Sequence, residues 1–543
     1  MNARRLVPTP SAYAYPLIIK QLLHTPLATA PDQEIVYRDR FRTTYRGLRE
    51  RIGRLASALT TLGVQQGETV AVMDWDSHRY LECYFAVPMM GAVLQTVNIR
   101  LSPAQIEYTL VDAEASTILV HADFAPLLAE LIAKLPQLRR VILLHDDAPP
   151  AIPFTVAGSY EALLAAASPG FEFPEFDENS VATTFYTTGT TGLPKGVAFS
   201  HRQIVLHTLA GTAALASPQA GQRFHRGDVY MPLTPMFHVH AWGLPYVATL
   251  LGVKQVYVGR YAPDIILALR KREGASFSHC VPTILQMLLA QAAKTDERLD
   301  GWTMVIGGAA MSLALTREAI ARGIDVFSGY GMSETCPIMT LAQPGPGGDE
   351  ENLVQRTRTG KPVALIDLAV VDAQMKPLPH DGISAGELTV RAPWLTQAYV
   401  KKADASEQLW QGGRLHTGDI GVIAADGTVR ITDRVKDVIK TGGEWVSSIE
   451  IEDLIARLDG VNEVAVIGIA DPKWGERPMA LIVKRAAELD EAAVKSHVES
   501  FASRGQISRF AIPDRVQFVD ALDRTSVGKI DKKALRQRYL PSA

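Results

Sequence analysis

Hydroxyl, glycine and lysine residues are concentrated in one short segment, Tyr186–Gly196, which reads Tyr-Thr-Thr-Gly-Thr-Thr-Gly-Leu-Pro-Lys-Gly. Its three glycines allow tight turns, its four threonines offer hydroxyl donors, and Lys195 adds a positive charge, a combination that suits a polyphosphate. The strand-like run Ala182–Phe185 precedes it, so the pattern predicts an ATP-binding loop. The P-loop of NTPases is disfavoured because Pro194 and Gly196 flank the lysine, where that motif needs Gly and Ser or Thr. A flexible Gly/Thr hairpin is the structural alternative.

Six further motifs follow this loop and span most of the remaining chain. They are Pro235-Met-Phe-His238, Gly307-Gly-Ala309, Tyr330-Gly-Met-Ser-Glu334, Thr417-Gly-Asp419, Asp433-Arg-Val-Lys-Asp-Val-Ile-Lys440 and Thr525-Ser-Val-Gly-Lys-Ile530. With the loop, they resemble in order the motifs of the adenylate-forming (AMP-binding) superfamily, which includes acyl-CoA synthetases, peptide-synthetase adenylation domains and luciferases.

The resemblance implies an ATP site and a magnesium site. The implied nucleotide-binding residues are Thr187, Thr188, Gly189, Thr190, Thr191, Gly192, Lys195, Gly308, Ala309, Tyr330, Gly331, Met332, Ser333 and Asp419. Asp419 would hold the ribose hydroxyls, while Glu334 and the Thr190 hydroxyl would hold Mg²⁺, which prefers oxygen ligands. Taken alone, Glu334 could be a helix-start carboxylate, Asp419 a turn residue, and Tyr330 a core tyrosine.

Cations are needed where a carboxylate attacks the α-phosphorus of ATP, because two anions meet there and negative charge develops. The candidates are Lys529, Arg434 and the metal. Lys529 resembles the catalytic lysine that bridges the acyl carboxylate and the α-phosphate. The proline that often precedes this motif is replaced by Leu522-Asp523.

A second set of residues belongs to the CoA-dependent step. The resemblance implies that a small C-terminal domain rotates about a hinge at Lys436 after adenylation and presents a different face to the site. That face carries Lys440, Gly442, Gly443 and Glu444, and paired glycines permit a close backbone approach to the pantetheine channel. On its own, the Gly-Gly pair would be read as a turn.

The acyl pocket is assigned to Phe237–Tyr246, with Pro282–Leu289 as a second apolar wall. His238 resembles the histidine beside the acyl carboxylate, and Trp242 and Gly243 resemble the gate of an acyl tunnel. A structural histidine packed on Trp242 is the alternative for His238. Neither segment contains Arg or Lys, which disfavours a dicarboxylic acid because a second buried carboxylate would need a partner. His240 stands where an asparagine is expected.

Strand-like and helix-like runs alternate along the first two thirds of the chain, which predicts an α/β fold. Leu48, Ile52, Leu55, Leu59 and Leu62 recur at helical spacing before Gly63. From about Val363, short strands and turns predict a β-rich subdomain, and a small mobile α+β domain follows. The expected domains are 1–434, which binds ATP and the acid, and 435–543, which carries the catalytic lysine.

Composition excludes several classes of protein. A chain of 543 residues with net charge -3 predicts more than one domain and argues against a nucleic-acid partner. Three isolated cysteines support neither disulfides nor a zinc site, and no segment is apolar for long enough to span a membrane, so we expect a cytoplasmic protein. The segment Tyr13–Leu27 could form a homodimer contact or cover its own domain.

The function that these patterns predict is an ATP- and Mg-dependent acyl-CoA ligase for a medium- or long-chain fatty acid. Its partners would be the small-molecule carboxylic acid, ATP and CoA. A short branched, aromatic or dicarboxylic acid is the nearest alternative. A luciferase-like oxygenase, a peptide-synthetase module and a non-catalytic nucleotide-binding scaffold are less favoured.

Overall fold

The computed structural model describes residues 6–148, 151–187, 193–217, 221–345, 347–441, 444–525 and 530–539, and only the backbone at 444 and 445. Eight predicted site residues lie outside the described residues: Thr188, Gly189, Thr190, Thr191, Gly192, Gly442, Gly443 and Lys529. The side chain of Glu444 lies outside them as well.

The strands of the described residues form four sheets. In chain order they are β1 (Glu34–Tyr37), β2 (Phe41–Thr44), β3 (Thr69–Met73), β4 (Val93–Thr96), β5 (Ala115–His121), β6 (Arg140–Leu144), β7 (Gly158–Ser159), β8 (Val181–Thr187), β9 (Lys195–Ser200), β10 (Val229–Tyr230), β11 (Lys254–Tyr257), β12 (Phe277–Cys280), β13 (Trp302–Ile306), β14 (Ile324–Gly331), β15 (Ile338–Leu341), β16 (Lys361–Pro362), β17 (Asp367–Val371), β18 (Gly386–Arg391), β19 (Leu415–Ile423), β20 (Val429–Arg434), β21 (Ile439–Thr441), β22 (Glu444–Val446), β23 (Val461–Asp471), β24 (Gly475–Lys484) and β25 (Arg515–Phe518).

Helices connect these strands. They are α1 (His24–Thr29), α2 (Tyr45–Thr61), α3 (His78–Met89), α4 (Pro103–Asp112), α5 (Ala125–Leu131), α6 (Tyr160–Ala166), α7 (His201–Ala216), the left-handed turn α8 (Val239–Trp242), α9 (Leu244–Leu251), α10 (Pro263–Glu273), α11 (Pro282–Ala293), α12 (Leu313–Ala321), α13 (Glu350–Thr357), α14 (Ala403–Leu409), α15 (Ser448–Ile455), α16 (Glu491–Ser503) and α17 (Lys532–Tyr539). The helix predicted from the leucine spacing is α2, and Gly63 follows it with φ +82°. None of the helices in the described residues combines the length and apolar character that crossing a bilayer requires.

Two large sheets make up the α/β part of the molecule. The first has the order β7-β6-β5-β3-β4-β8-β9 and is parallel except for β9, which pairs antiparallel with β8. The second has the order β16-β15-β14-β13-β12-β10-β11-β1-β2, with a parallel centre and antiparallel pairs at both edges. Since parallel strands require crossover helices, the predicted alternation of strand and helix is confirmed.

Two smaller sheets follow in the chain. The antiparallel meander β17-β18-β19-β20 is the predicted β-rich subdomain. The last sheet, β22-β21-β24-β23 with β25 beside β24, packs with α15 and α16 around a hydrophobic core of C-terminal residues only. The α+β terminal unit is therefore confirmed, while the domain boundary between residues 434 and 435 stays a prediction.

The N-terminal segment packs on its own chain. Ile19 and Leu22 are buried, and the backbone N–H of Ile19 donates to Nδ1 of His201 at 3.2 Å. Tyr13 and Tyr15 remain 59% and 49% exposed. The own-domain interpretation of this segment accounts for its apolar residues, and the homodimer stays a prediction.

Gly331, at the end of β14, packs closely against the chain at Pro337, just before β15. A Cβ there would lie 1.8 Å from the carbonyl oxygen of Pro337, so β14 and β15 would have to separate. We expect Gly331→Ala to lower the free energy of unfolding by about 1–3 kcal/mol, the usual range for overpacking, as measured by denaturant titration. Gly345→Ala is the matched control, because nothing lies within 4 Å of its Cβ position. Equal stability of both variants would contradict this account.

Candidate active site

The predicted phosphate loop is the tip of the hairpin formed by β8 and β9. Thr187 pairs with Lys195, and Tyr186 pairs with Gly196, so the two ends of the loop are fixed at adjacent positions. A Cβ at Gly196 would lie 3.0 Å from the Cβ of Val400 and 3.1 Å from a ring carbon of Tyr186. Gly196 lies within β9, so glycine at this position serves close packing rather than the predicted turn.

A chain of contacts joins this hairpin to Glu334. The ammonium group of Lys195 lies 4.6 Å from the ring centroid of Tyr399, and the Tyr399 hydroxyl donates to Oε1 of Glu334 at 2.6 Å. Burial and the neighbouring Glu334 carboxylate raise the pKa of Tyr399 well above its ordinary value, so the hydroxyl keeps its proton and remains a donor. Sequence reasoning missed Tyr399 because the backbone bridge between Val197 and Tyr399 joins residues far apart in the chain.

Glu334 lies in a short 3-10 turn, Ser333–Thr335, directly after β14. Its side chain is buried, and its backbone carbonyl accepts from the N–H of Thr396 at 3.0 Å. A buried carboxylate oxygen beside the phosphate hairpin fits a hard cation such as Mg²⁺. Within the described ranges, no group of three or more His, Cys, Asp or Glu side chains is placed to hold a metal ion.

The residues predicted to face the nucleotide lie at the ends of the neighbouring strands β13 and β14. Gly308 and Ala309 follow β13, and the accessible residues Tyr330 to Ser333 end β14, which pairs with β13 in parallel. Gly308 and Tyr330 are half-buried, and Tyr330 packs against the main hydrophobic core, so the nucleotide-facing role and the alternative of a buried strand end with a core tyrosine both stay predictions. Gly308 has φ +78°, a conformation that favours glycine.

Asp419 connects this edge to the C-terminal region. Its Oδ2 accepts from the Tyr330 hydroxyl at 2.7 Å, and its Oδ1 lies 3.1 Å from Nε of Arg434. The register of β19 and β20 places Asp419 directly opposite Arg434. Burial and the carboxylate raise the pKa of Tyr330 well above its ordinary value. Both oxygens of this buried carboxylate have protein partners. They can accept from ribose hydroxyls once Tyr330 and Arg434 move away.

The acyl side of the site is built on a left-handed turn. The four residues of α8 have φ between 47° and 59°, and Gly243 continues the turn with φ 71°. Left-handed backbone costs about 1–2 kcal/mol per non-glycine residue, so packing must hold it. A Cβ at Gly243 would lie 2.8 Å from two ring atoms of His207, which leaves room for glycine alone.

Trp242, at the end of this turn, lies between the second sheet's strand ends. Its ring centroid is 5.1 Å from that of His279 on β12. A Cβ at Gly307, just after β13, would approach the Trp242 ring to 3.0 Å. The predicted acyl gate therefore lies against Gly307, the residue before the predicted adenine-facing pair Gly308 and Ala309. His279 packs beside the Trp242 ring. Sequence reasoning missed this role of His279.

Three buried histidines around this turn are neutral. Burial lowers the pKa of His207, His240 and His279 to about 3, so none carries a proton on both ring nitrogens near neutral pH. His279 shares a hydrogen bond of 2.8 Å between its Nε2 and the Tyr230 hydroxyl. The surroundings of Trp242 are aromatic and uncharged, which suits an apolar acyl chain.

His238 precedes the left-handed turn and is half-buried, and its backbone N–H donates to the Pro235 carbonyl at 2.9 Å.

Arg434 reaches the site through Asp419. Lys436 and Lys440 are exposed, and the backbone N–H of Lys440 donates to Glu476 within the C-terminal unit at 2.9 Å. The described contacts thus bring Arg434 to Asp419 and hold the backbone of Lys440 within the C-terminal unit.

Asp433, beside the predicted hinge, is tied to the C-terminal unit. Its carboxylate accepts from the backbone N–H of Ser448 at 2.5 Å and from the Ser448 hydroxyl at 3.0 Å. Lys532 donates to the same hydroxyl at 2.7 Å and lies 2.7 Å from Glu452. These contacts fix the start of α15 against β20.

Comparison with known proteins agrees with this geometry. Residues 23–400 match the AMP-binding enzyme family, and residues 450–529 match the AMP-binding enzyme C-terminal domain. The chain is 38% identical over 505 residues to a long-chain-fatty-acid–CoA ligase of Thermus thermophilus, covering 92% of this chain and 90% of the relative. It is 37% identical to a 3-methylmercaptopropionyl-CoA ligase of Ruegeria lacuscaerulensis, covering 92% of each.

A solved structure shows the same fold. The ATP-bound MatB of Rhodopseudomonas palustris superimposes with a TM-score of 0.82 at 28% identity, over 96% of this chain and 99% of MatB. The ordered motifs, the joined phosphate and nucleotide edges and these matches lead to one conclusion: the chain belongs to the AMP-binding enzyme family, in its acyl-CoA synthetase branch.

Proposed function

We propose that this AMP-forming acid–CoA ligase activates a medium- or long-chain fatty acid. The observation that carries the proposal is the uncharged surroundings of Trp242, where the packed partners are the neutral imidazole of His279 and the glycine backbone at Gly307. A buried second carboxylate would need a cation there. The likeness to a long-chain-fatty-acid–CoA ligase supports the same substrate class.

A short thioether acid is the second candidate. The relative from Ruegeria lacuscaerulensis is a 3-methylmercaptopropionyl-CoA ligase, and its identity to this chain is nearly as high as that of the long-chain relative. An uncharged aromatic pocket would also accept such an acid, because sulfur makes favourable contacts with aromatic rings. Chain length therefore separates the two candidates.

The proposed reaction has two steps. A carboxylate oxygen of the acid bonds to the α-phosphorus of ATP as pyrophosphate leaves, which yields the acyl-adenylate. The thiol sulfur of CoA then bonds to the acyl carbonyl carbon, AMP leaves, and the thiol proton is released. In the first step Lys195 faces the phosphates, Asp419 holds the ribose, and His238 and Lys529 lie at the acyl carboxylate.

Magnesium is part of this proposal. The buried carboxylate of Glu334 and the hydroxyl of Thr190 would hold the ion, which when bound supplies positive charge against the phosphates. Arg434 contributes its charge through Asp419. For the second step, we assign the CoA-facing surface to Lys440, Gly442, Gly443 and Glu444, turned about Lys436.

The substrate class is tested by pyrophosphate release across a panel of aliphatic, branched, thioether, aromatic and dicarboxylic acids with CoA present. We expect the highest kcat/KM with medium or long aliphatic acids. A maximum at 3-methylmercaptopropionate would select the second candidate. Failure of every acid to release pyrophosphate would overturn the proposal.

Trp242→Ala tests the acyl gate. Removing the indole beside His279 opens space, so we expect the chain-length optimum in the same panel to move, with a loss of about tenfold in kcat/KM for the original best acid. Leu209→Ala, at an exposed position on α7, is the control and should keep the wild-type profile. An unchanged profile in Trp242→Ala would remove this residue from the pocket.

Lys529→Ala tests the division between the two steps. The lysine is proposed to stabilise charge only during adenylation, so we expect acyl-AMP formation to fall by about 100-fold or more. CoA transfer from supplied acyl-AMP should stay near the wild-type rate, and Lys440→Ala should show the opposite pattern. An equal loss of both half-reactions in folded Lys529→Ala would contradict the division.

A further inference from the structure

A buried carboxylate connects three loops next to the His238 segment. Asp76 lies just after β3, is 4% exposed, and accepts from the backbone N–H of Met236 at 2.8 Å through Oδ1. Its Oδ2 accepts from the Tyr261 hydroxyl at 2.7 Å, and its backbone carbonyl accepts from the N–H of Gly259 at 2.9 Å. One residue beyond the carboxyl end of β3, in the first sheet, thus anchors two loops of the second sheet.

The segment from Met236 to His238 is fixed by side chains from the first sheet. The Tyr84 hydroxyl donates to the Met236 carbonyl, and the Thr96 hydroxyl donates to the Phe237 carbonyl at 2.9 Å. Asp76 supplies a charged hydrogen-bond acceptor to this segment, and the guanidinium of Arg100 lies 5.9 Å from the ring centroid of Phe237. Hydrogen bonds to charged groups are stronger than neutral ones, so Asp76 dominates the placement of this backbone.

Charged and titratable groups surround Asp76 on several elements. Burial, as the largest cause, raises its pKa to about 7, while the bonds from Met236 and Tyr261 and the charge of Arg100 oppose the rise and Asp74 adds to it. The charge of Asp76 also interacts with four further tyrosine hydroxyls, all of them protonated: Tyr80, Tyr84, Tyr230 and Tyr257. The ionised and protonated forms are therefore both populated near neutral pH.

We propose that Asp76 is a positioning residue for adenylation: its ionised carboxylate holds the Met236 backbone so that His238 is presented to the acyl carboxylate. The inference rests on the proposed function of His238. When Asp76 takes up a proton, one oxygen becomes a donor, and the bonds from Met236 and Tyr261 can no longer both be accepted at full strength. The adenylation rate should consequently follow the ionisation of Asp76.

The effect on stability has the opposite sign. Because the pKa rises from its ordinary 3.8 to about 7 on folding, the folded protein binds the proton more strongly than the unfolded chain. The contribution of Asp76 therefore lowers stability as the pH rises from 3.8 to about 7, and it is constant above that range. A neutral replacement should be relatively more stable on the alkaline side.

The test measures kcat/KM for the best fatty acid in the pyrophosphate-release assay on both sides of pH 7. We expect the wild type to lose activity by about tenfold as the pH falls through 7. Asp76→Asn, which can accept from Met236 and donate to Tyr261, should be active without this decline. Its thermal midpoint relative to the wild type should be higher at alkaline than at acidic pH.

Two further variants distinguish positioning from general packing. Tyr261→Phe removes a donor that favours the ionised carboxylate, so the midpoint of the pH profile should move upward. Thr96→Val removes a neutral bond to the same segment and should lower activity with no change of midpoint. A wild-type midpoint in both Asp76→Asn and Tyr261→Phe would overturn the inference, whereas absence of pyrophosphate release in the wild type would overturn the proposed function itself.

Discussion

The hydrogen bond from Tyr399 to Glu334 connects parts of the molecule that the reaction must use together. The ammonium group of Lys195, at the base of the phosphate hairpin in the first sheet, lies over the ring of Tyr399. Glu334, which accepts from Tyr399, follows the strand of the second sheet that carries the predicted nucleotide-facing residues. Because the tyrosine keeps its proton, the contact places a cation and a carboxylate at a fixed separation on either side of one ring. The base of the predicted phosphate loop and the strand end at Glu334 are thereby joined through one tyrosine.

The site also separates two electrostatic environments over a short distance. Charged partners are grouped on the nucleotide side, where Asp419 joins Tyr330 and Arg434. On the acyl side, His207 and His279 are deprived of charge by burial. Trp242 lies at the border, against Gly307 on one side and His279 on the other. The proposed fatty acid, with one charged end and an apolar tail, would match this division, because each end would find the environment that stabilises it.

The sequence predicted the parts of this arrangement that depend on local pattern. The order of motifs, the α/β alternation, the β-rich sheet and the terminal α+β unit are confirmed, since strand and helix periodicity and turn residues are local signals. Tyr399, Asp76 and His279 were missed because their roles come from contacts between residues far apart in the chain. The left-handed turn at Trp242 could not be predicted either, as only Gly243 in it favours that conformation.

The C-terminal unit is attached to the rest by few but directed contacts. Asp433 binds the first residues of α15, and Lys532 closes the same corner through Ser448 and Glu452. Its hydrophobic clusters are separate from those of the large sheets, so the proposed rotation of the unit would leave the clusters on each side intact. The motion would instead have to exchange polar contacts at this corner. Because Asp433 and Ser448 are buried and hydrogen bonds to charged groups are strong, the second orientation that the proposed two-step reaction requires would have to replace these contacts with others of similar strength.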